Sequence, residues 1–145
     1  MKSRYQAPNL SFDYPASWAL DATPPGMDSS LFARLRPSRH AYIEIVVYTA
    51  TDPIEVVLEE AIDRHIRRLN SLTKRTELNI WQGLNGVGVQ LAGKVQRTDF
   101  LLTIFEAPIE NQDAFEITAF RPAKDEHRLE SGFKTITDSL RFIQF

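Results

Sequence analysis

The residues of this chain that could do chemistry are few and scattered. Carboxylates at Asp13, Asp21, Asp28, Glu44, Glu106 and Glu116 fall on strands or loops. Acid–base catalysis needs two such groups at a fixed separation, with environments that push their pKa values apart. The spacing of these six shows no such constellation. Glu44 and Glu116 have the phase of outward-facing strand residues, which suits solvent or a rim. A Ser–His–Asp site would have to draw on Ser38, His40 or His127, and no serine stands in a strand–turn–helix context. The three histidines, His40, His65 and His127, include no pair at the i, i+4 spacing that sets two imidazoles on one helical face to hold zinc. The chain has no cysteine, which removes thiolate nucleophiles, disulfides and cysteine metal sites together. The expectation is a non-enzyme, with no catalytic residues, no metal and no cofactor.

Three further stretches have a composition that suits ligand binding. "GLNGVG" (83–88) carries glycines at 83, 86 and 88. A phosphate loop must lead into a helix N-terminus, whose aligned N–H groups meet the anion, but the residues that follow read as a strand. A turn and a thin spot in a strand is the better reading. "RHIRRLNSLTKR" (64–75) is the densest basic run, yet the same helix candidate begins with Asp52, Glu55, Glu59 and Glu60. Acid first and base last is what the helix dipole favours, so this reads as a solvated helix, with His65 at the core edge. "RLRPSRH" (34–40) places Arg34 and Arg36 on the strand face that carries Phe32, beside Tyr42 and Tyr48 of the next strand. Aromatics interleaved with arginine can grip a peptide or stack on bases. The competing structural reading is that the second helix covers this face and the arginine stems snorkel past it. That reading carries more weight, because both sheet faces need cover. Phe32, Arg34, Arg36, Tyr42 and Tyr48 are still the best candidate binding surface.

These residues must be positioned by a single domain spanning 1–145, which is long enough for a real core. The hydrophobic fraction of 43% and the charged fraction of 25% are those of a soluble globular chain. A net charge of -2 gives no global field to draw nucleic acid or an acidic membrane. No apolar run approaches the roughly 20 residues of a membrane-spanning helix. The opening "MKSRYQAPNL" lacks the apolar core of a secretory signal. As written the chain is expected in the cytoplasm, or exported if a signal segment has been removed.

Two segments have helical period. In "TDPIEVVLEEAIDRHIRRLNSL" (51–72), Ile54, Val57, Leu58, Ala61, Ile62, His65, Ile66 and Leu69 form one stripe. Asp52 is expected to cap it, with Pro53 in the first turn and Glu55 completing a capping box. In "KDEHRLESGFKTITDSL" (124–140), Leu129, Phe133, Ile136 and Leu140 form a narrower stripe, and Gly132 could let the helix approach a sheet closely. Strands are predicted at 10–14, 30–37, 41–50, 86–96, 100–107 and 114–122. The last three are separated by short polar turns, which argues for an antiparallel meander. The order strands, helix, strands, helix predicts an α+β domain, a sheet of about six antiparallel strands with helices packed on its faces. The late strands, 114–121 above all, could pair edge to edge across a two-fold axis in a homodimer.

The stretch "LSFDYPASW" (10–18) resembles the entry of PsbP-like domains, with Phe12, Tyr14, Pro15 and Trp18 marking the pattern. The closing "FKTITDSLRF" (133–142) is similar to the last helix of that group, with Leu140 where the group has an aromatic. The resemblance covers nearly the whole chain in layout. It implies the α/β/α sandwich shared by PsbP-like, Mog-type, DcrB-like and Eag-chaperone-like proteins. The matching positions are structural, so no functional residue is carried over. Tyr14–Pro15 ends the first strand, because proline donates no N–H and biases its predecessor to extended backbone. Trp18 then buries its ring against the sheet or the last helix.

The resemblance implies a non-catalytic binding, chaperone-like or assembly domain with a protein or peptide partner. The alternative is a small-molecule-binding enzyme with a pocket between sheet and helix, holding His40 or His127 beside a carboxylate.

Overall fold

The computed structural model describes residues 1–110 and 113–142. Among the described residues, ten strands and two helices follow one another along the chain. They are β1 (Lys2–Gln6), β2 (Leu10–Pro15), β3 (Ala19–Leu20), β4 (Phe32–Ser38), β5 (Ala41–Thr49), α1 (Ile54–His65), β6 (Ser71–Trp81), β7 (Leu84–Val95), β8 (Thr98–Pro108), β9 (Asp113–Pro122), α2 (Glu126–Ser139) and β10 (Arg141–Phe142). Seven strands form the main sheet in the order β3-β4-β5-β9-β8-β7-β6, and β1, β2 and β10 form a small second sheet. Every pairing among them is antiparallel. This is the α+β architecture expected, with four strands beyond the six predicted: β1 and β6 carry too little apolar alternation to announce themselves, and β3 and β10 are only two residues long.

The short turns follow from residue chemistry. Gln82 and Gly83 both take positive φ between β6 and β7, the pairing that a tight hairpin with right-handed twist requires. Gly86 and Gly88 lie inside β7 as the predicted thin spot. A Cβ on Gly88 would stand 2.6 Å from the Ile104 carbonyl and 2.7 Å from the Phe105 ring, so that ring lies directly on bare backbone.

Strand alternation divides the core in two. On one face of the main sheet, α1 sets Leu58, Ala61 and Ile62 against Val89, Leu91, Leu102 and Ile104. On the other, α2 sets Leu129, Phe133 and Ile136 against Ile43, Ile45, Phe105 and Ile117, with Leu10 and Phe12 of the small sheet closing the end. The opening motif is thus structural: the Trp18 ring meets Phe133 edge-on at 5.7 Å, and Gly132 leaves the space it occupies.

Several boundaries differ from expectation. Helix α1 stops at His65, continues as a 3-10 turn over Ile66–Arg68, and gives way to β6 at Ser71. The predicted cap at Asp52 does not form; Pro53 occupies the cap position with no side-chain hydrogen bond. Strand β9 lies between β5 and β8, so both of its edges are occupied and it cannot pair across a two-fold axis. Among the described residues no helix is long and apolar enough to cross a membrane.

Candidate functional site

Helix α1 packs over β7 and β8 and leaves the β4–β5 half of its face without an apolar cover. That half carries Arg34, Glu44 and Tyr42, and its centre is Tyr42. The Arg34 guanidinium lies 4.3 Å from the ring centroid and that of Arg68, from the turn after α1, lies 5.1 Å away. Phe120 packs against the same ring at 5.6 Å and stacks in turn on Phe100 at 4.9 Å. The guanidiniums hold their orientation through carboxylates: Arg34 reaches Glu44 at 3.5 Å and Asp21 at 3.7 Å, and Arg36 bonds Asp21 at 3.0 Å.

Arg34, Tyr42, Phe100 and Phe120 of this cluster line an open cavity of about 270 Å³ whose rim also includes Arg36, Arg39 and His40. It runs on into a wider one of about 680 Å³, which shares Arg39, His40 and Phe100 and adds Lys124 and Arg128. Cations therefore outnumber acids along a groove floored by aromatic rings. Two buried polar atoms on its lining, the Tyr42 hydroxyl and Arg34 Nε, make no hydrogen bond among the described residues. Burying a donor unpaired costs about 1–3 kcal/mol, and only Arg34 Nε has a carboxylate nearby, Asp21 at 3.7 Å. Burial raises the Tyr42 phenol to about 12, which keeps it a donor at every physiological pH.

A second cluster lies further along the same face. Glu106 of β8 and Glu116 of β9 are direct cross-strand partners, and both are buried. Tyr48 donates to Glu106 Oε1 at 2.6 Å, while Arg64 donates to both oxygens of Glu116 at 3.2 and 3.3 Å. His65 Nε2 stands 3.6 Å from Glu116, and the Thr118 hydroxyl lies 3.4 Å from the same oxygen. Burial, then repulsion from Glu116, pushes Glu106 up to about 8, so it is largely protonated at neutral pH. Burial also raises the Tyr48 phenol. Among the described residues no group of three or more His, Asp or Glu side chains is placed to hold a metal ion.

Of the five predicted surface residues, the structure brings Arg34, Arg36 and Tyr42 together. Phe32 is buried and cannot act as an outward aromatic. Tyr48 faces Glu106 in the second cluster. The covering helix on this face is α1 and not α2, and it leaves both arginine heads in reach of solvent. Glu116 is buried, contrary to its expected outward phase, because α1 lies over it with Arg64 as counter-charge. Reading along the chain missed the carboxyl pair and the roles of Arg64 and Arg68. The signal was present: Glu106 and Glu116 interrupt the apolar interiors of their strands, equally far from the hairpin turn that joins them. His127 is fully solvated on α2, with Glu130 at 3.9 Å, and His40 is exposed at the β4–β5 turn.

No protein-family model matches the chain, and no curated protein matches its sequence. Solved structures do. The Ran-binding protein Mog1p of Saccharomyces cerevisiae superposes with a TM-score of 0.63, over 99% of this chain and 96% of that one, at 11% identity. The chain has the PsbP/Mog-like fold. CyanoP, the cyanobacterial PsbP of Synechocystis sp. PCC 6803, matches over 98% of this chain and 92% of its own, at 12% identity and a TM-score of 0.55. LpqN, involved in cell envelope biogenesis of Mycobacterium tuberculosis, matches over 99% and 91%, at 10% identity and a TM-score of 0.59. At such identities the likeness is one of fold, so the PsbP/Mog-like frame positions the groove without naming its occupant.

Proposed function

We propose that this PsbP/Mog-like domain is a non-catalytic binding module that takes an acidic, extended segment of a partner protein along the Arg34–Tyr42–Arg68 groove. The observation that carries this reading is Tyr42: two guanidiniums lie over its ring, and its buried hydroxyl has no hydrogen-bond partner among the described residues. A carboxylate entering the groove would accept from the part-exposed Arg34 guanidinium, and a shift of the side chains over the Tyr42 hydroxyl would add that unpaired donor. Arg36, Arg39, Lys124 and Arg128 extend the cationic wall for a chain of several acidic residues, and Phe100 and Phe120 offer stacking surface between them. A fold shared with a Ran-binding protein is consistent with a protein partner. The alternative, an enzyme pocket with a histidine beside a carboxylate, has little support, since His127 is solvated and His40 stands exposed at the groove rim.

The test is fluorescence anisotropy with two labelled dodecapeptides, one alternating Glu and Tyr, the other alternating Lys and Tyr. Binding of the acidic peptide alone, weakened at least tenfold in Arg34→Glu and by raised salt, is the expected result. Equal binding of both peptides, or an acidic peptide indifferent to Arg34→Glu, sinks the reading.

A further inference from the structure

The main sheet ends very differently on its two sides. Strand β3 closes one edge with two residues, whereas β6 leaves the other open over eleven. Every residue of β6 except Leu78 and Trp81 is exposed, and its only sheet partner among the described residues is β7. Its outward row of N–H and C=O groups is therefore available to another strand.

We propose that β6 pairs with β6 of a second copy, antiparallel, about a two-fold axis through Thr76. The residue pattern is self-complementary about that point and about no neighbouring one. With Thr76 opposite Thr76, Arg75 faces Glu77 of the second copy and Glu77 faces its Arg75. Moving the axis to Arg75 sets arginine against arginine, and moving it to Glu77 sets glutamate against glutamate, both unfavourable across a ladder. The same register places Leu72 opposite Ile80. These are two of the large exposed hydrophobics, 45% and 61% accessible.

The backbone irregularities stand at matching distances from the same point, one with its extra residue in β6 and the other with it in β7. Register shifts occur between Leu72 and Lys74 and between Leu78 and Ile80, equally far from Thr76. Each bulge flips the alternation of the strand that carries it once. Leu72, Arg75 and Glu77 consequently share one face, as the even spacing of their β7 partners Gly93, Leu91 and Val89 requires. Dimerisation would align an apolar pair at each end and a four-charge cluster in the middle. Arg75 and Glu77, already 2.7 Å apart within one chain, would extend their pairing across the axis.

The experiment is charge reversal followed by mixing, read by sedimentation velocity. Wild type is expected to dimerise in a concentration-dependent manner. Arg75→Glu and Glu77→Arg, each alone, set like charges opposite and weaken dimerisation about tenfold. An equimolar mixture of the two variants restores it as a heterodimer, because the glutamate introduced in one chain then meets the arginine introduced in the other. This restoration separates pairing from any folding defect in either variant. Since the chain has no cysteine, Thr76→Cys provides a second readout: oxidation should link it to itself much faster than a Ser131→Cys control on the exposed surface of α2. A wild type that remains monomeric at the highest attainable concentration, or a mixture that behaves as its separate components, overturns the proposal. Neither result bears on the acidic-segment groove, which lies at the other side of the sheet.

Discussion

Glu106 and Glu116 stand opposite each other across β8 and β9, both out of solvent, with Tyr48 holding one and Arg64 the other. Two carboxylates in such a setting cannot both ionise cheaply, and the protein keeps a proton on the Glu106 side. The sign of the linkage follows from this. The folded-state pKa of Glu106 is raised from 4.5 to about 8, so between those values the folded chain holds a proton that the unfolded chain has released. Stability from this group is present at acid pH and is lost progressively as pH rises to about 8.

Urea denaturation at pH 5.5 and at pH 8.5 should show the wild type weaker at the higher pH. Glu106→Gln should flatten that slope and exceed the wild type at pH 8.5 by about 1–3 kcal/mol, because the neutral amide needs no proton. A variant whose slope equals that of the wild type would show that the carboxyl pair is not the source.

Tyr42→Phe tests the orphan hydroxyl. Removing a buried, unpaired donor should raise stability by about 1 kcal/mol in thermal or urea melts, because the ring and its packing on Phe120 remain. The same change should weaken the Glu–Tyr peptide severalfold. Gain in one and loss in the other is the signature of a group kept for binding.

Gly132→Ala tests how closely α2 approaches the opening loop. The new Cβ would overlap Trp18 Cζ2, which forces the ring or the helix to move, at a cost of roughly 1–3 kcal/mol. In a Trp18→Leu background the same substitution should cost markedly less. Equal cost in both backgrounds would place the strain elsewhere.

Arg121 is fully buried, bonded to Thr103, to the Ala119 carbonyl and to Glu126, with Nη2 unpaired among the described residues and Phe133 below it at 5.6 Å. Truncation to alanine leaves a void and strips Glu126 and Thr103 of their partner, and should cost about 3–5 kcal/mol. Arg121→Met fills most of the volume without the charge and should cost less than about 1.5 kcal/mol. Chemical denaturation of the two side by side decides it.

The sequence made the fold legible where periodicity was strong. The apolar stripe of α1 and the alternation in β5, β7 and β9 follow directly from which residues reach the core. The Phe12–Tyr14–Pro15–Trp18 entry works as a packing motif against α2. Strand β6 was not legible, since an exposed ribbon buries almost nothing on either face and so shows no alternation. Its first residues also continue the composition of the preceding helix. The site was half legible for a related reason. Arg34, Arg36 and Tyr42 are close in sequence, so two adjacent strands bring them together. Arg68 arrives by the return path of α1, and Glu106 meets Glu116 through a hairpin register. Long-range juxtapositions of that kind depend on which element lies over which, and local pattern does not carry that information.

The small sheet joins residues 2–15 to residues 141–142, and that sets an order of assembly. Strand β2 accepts β1 from its immediate neighbourhood, but its other edge is filled by Arg141 and Phe142, and the Asp13 N–H is received by Ser139. During translation the first hairpin must therefore wait with one side uncovered until residues 139–142 have cleared the ribosome. A nascent chain stalled before that point carries an open strand edge, a template for aggregation.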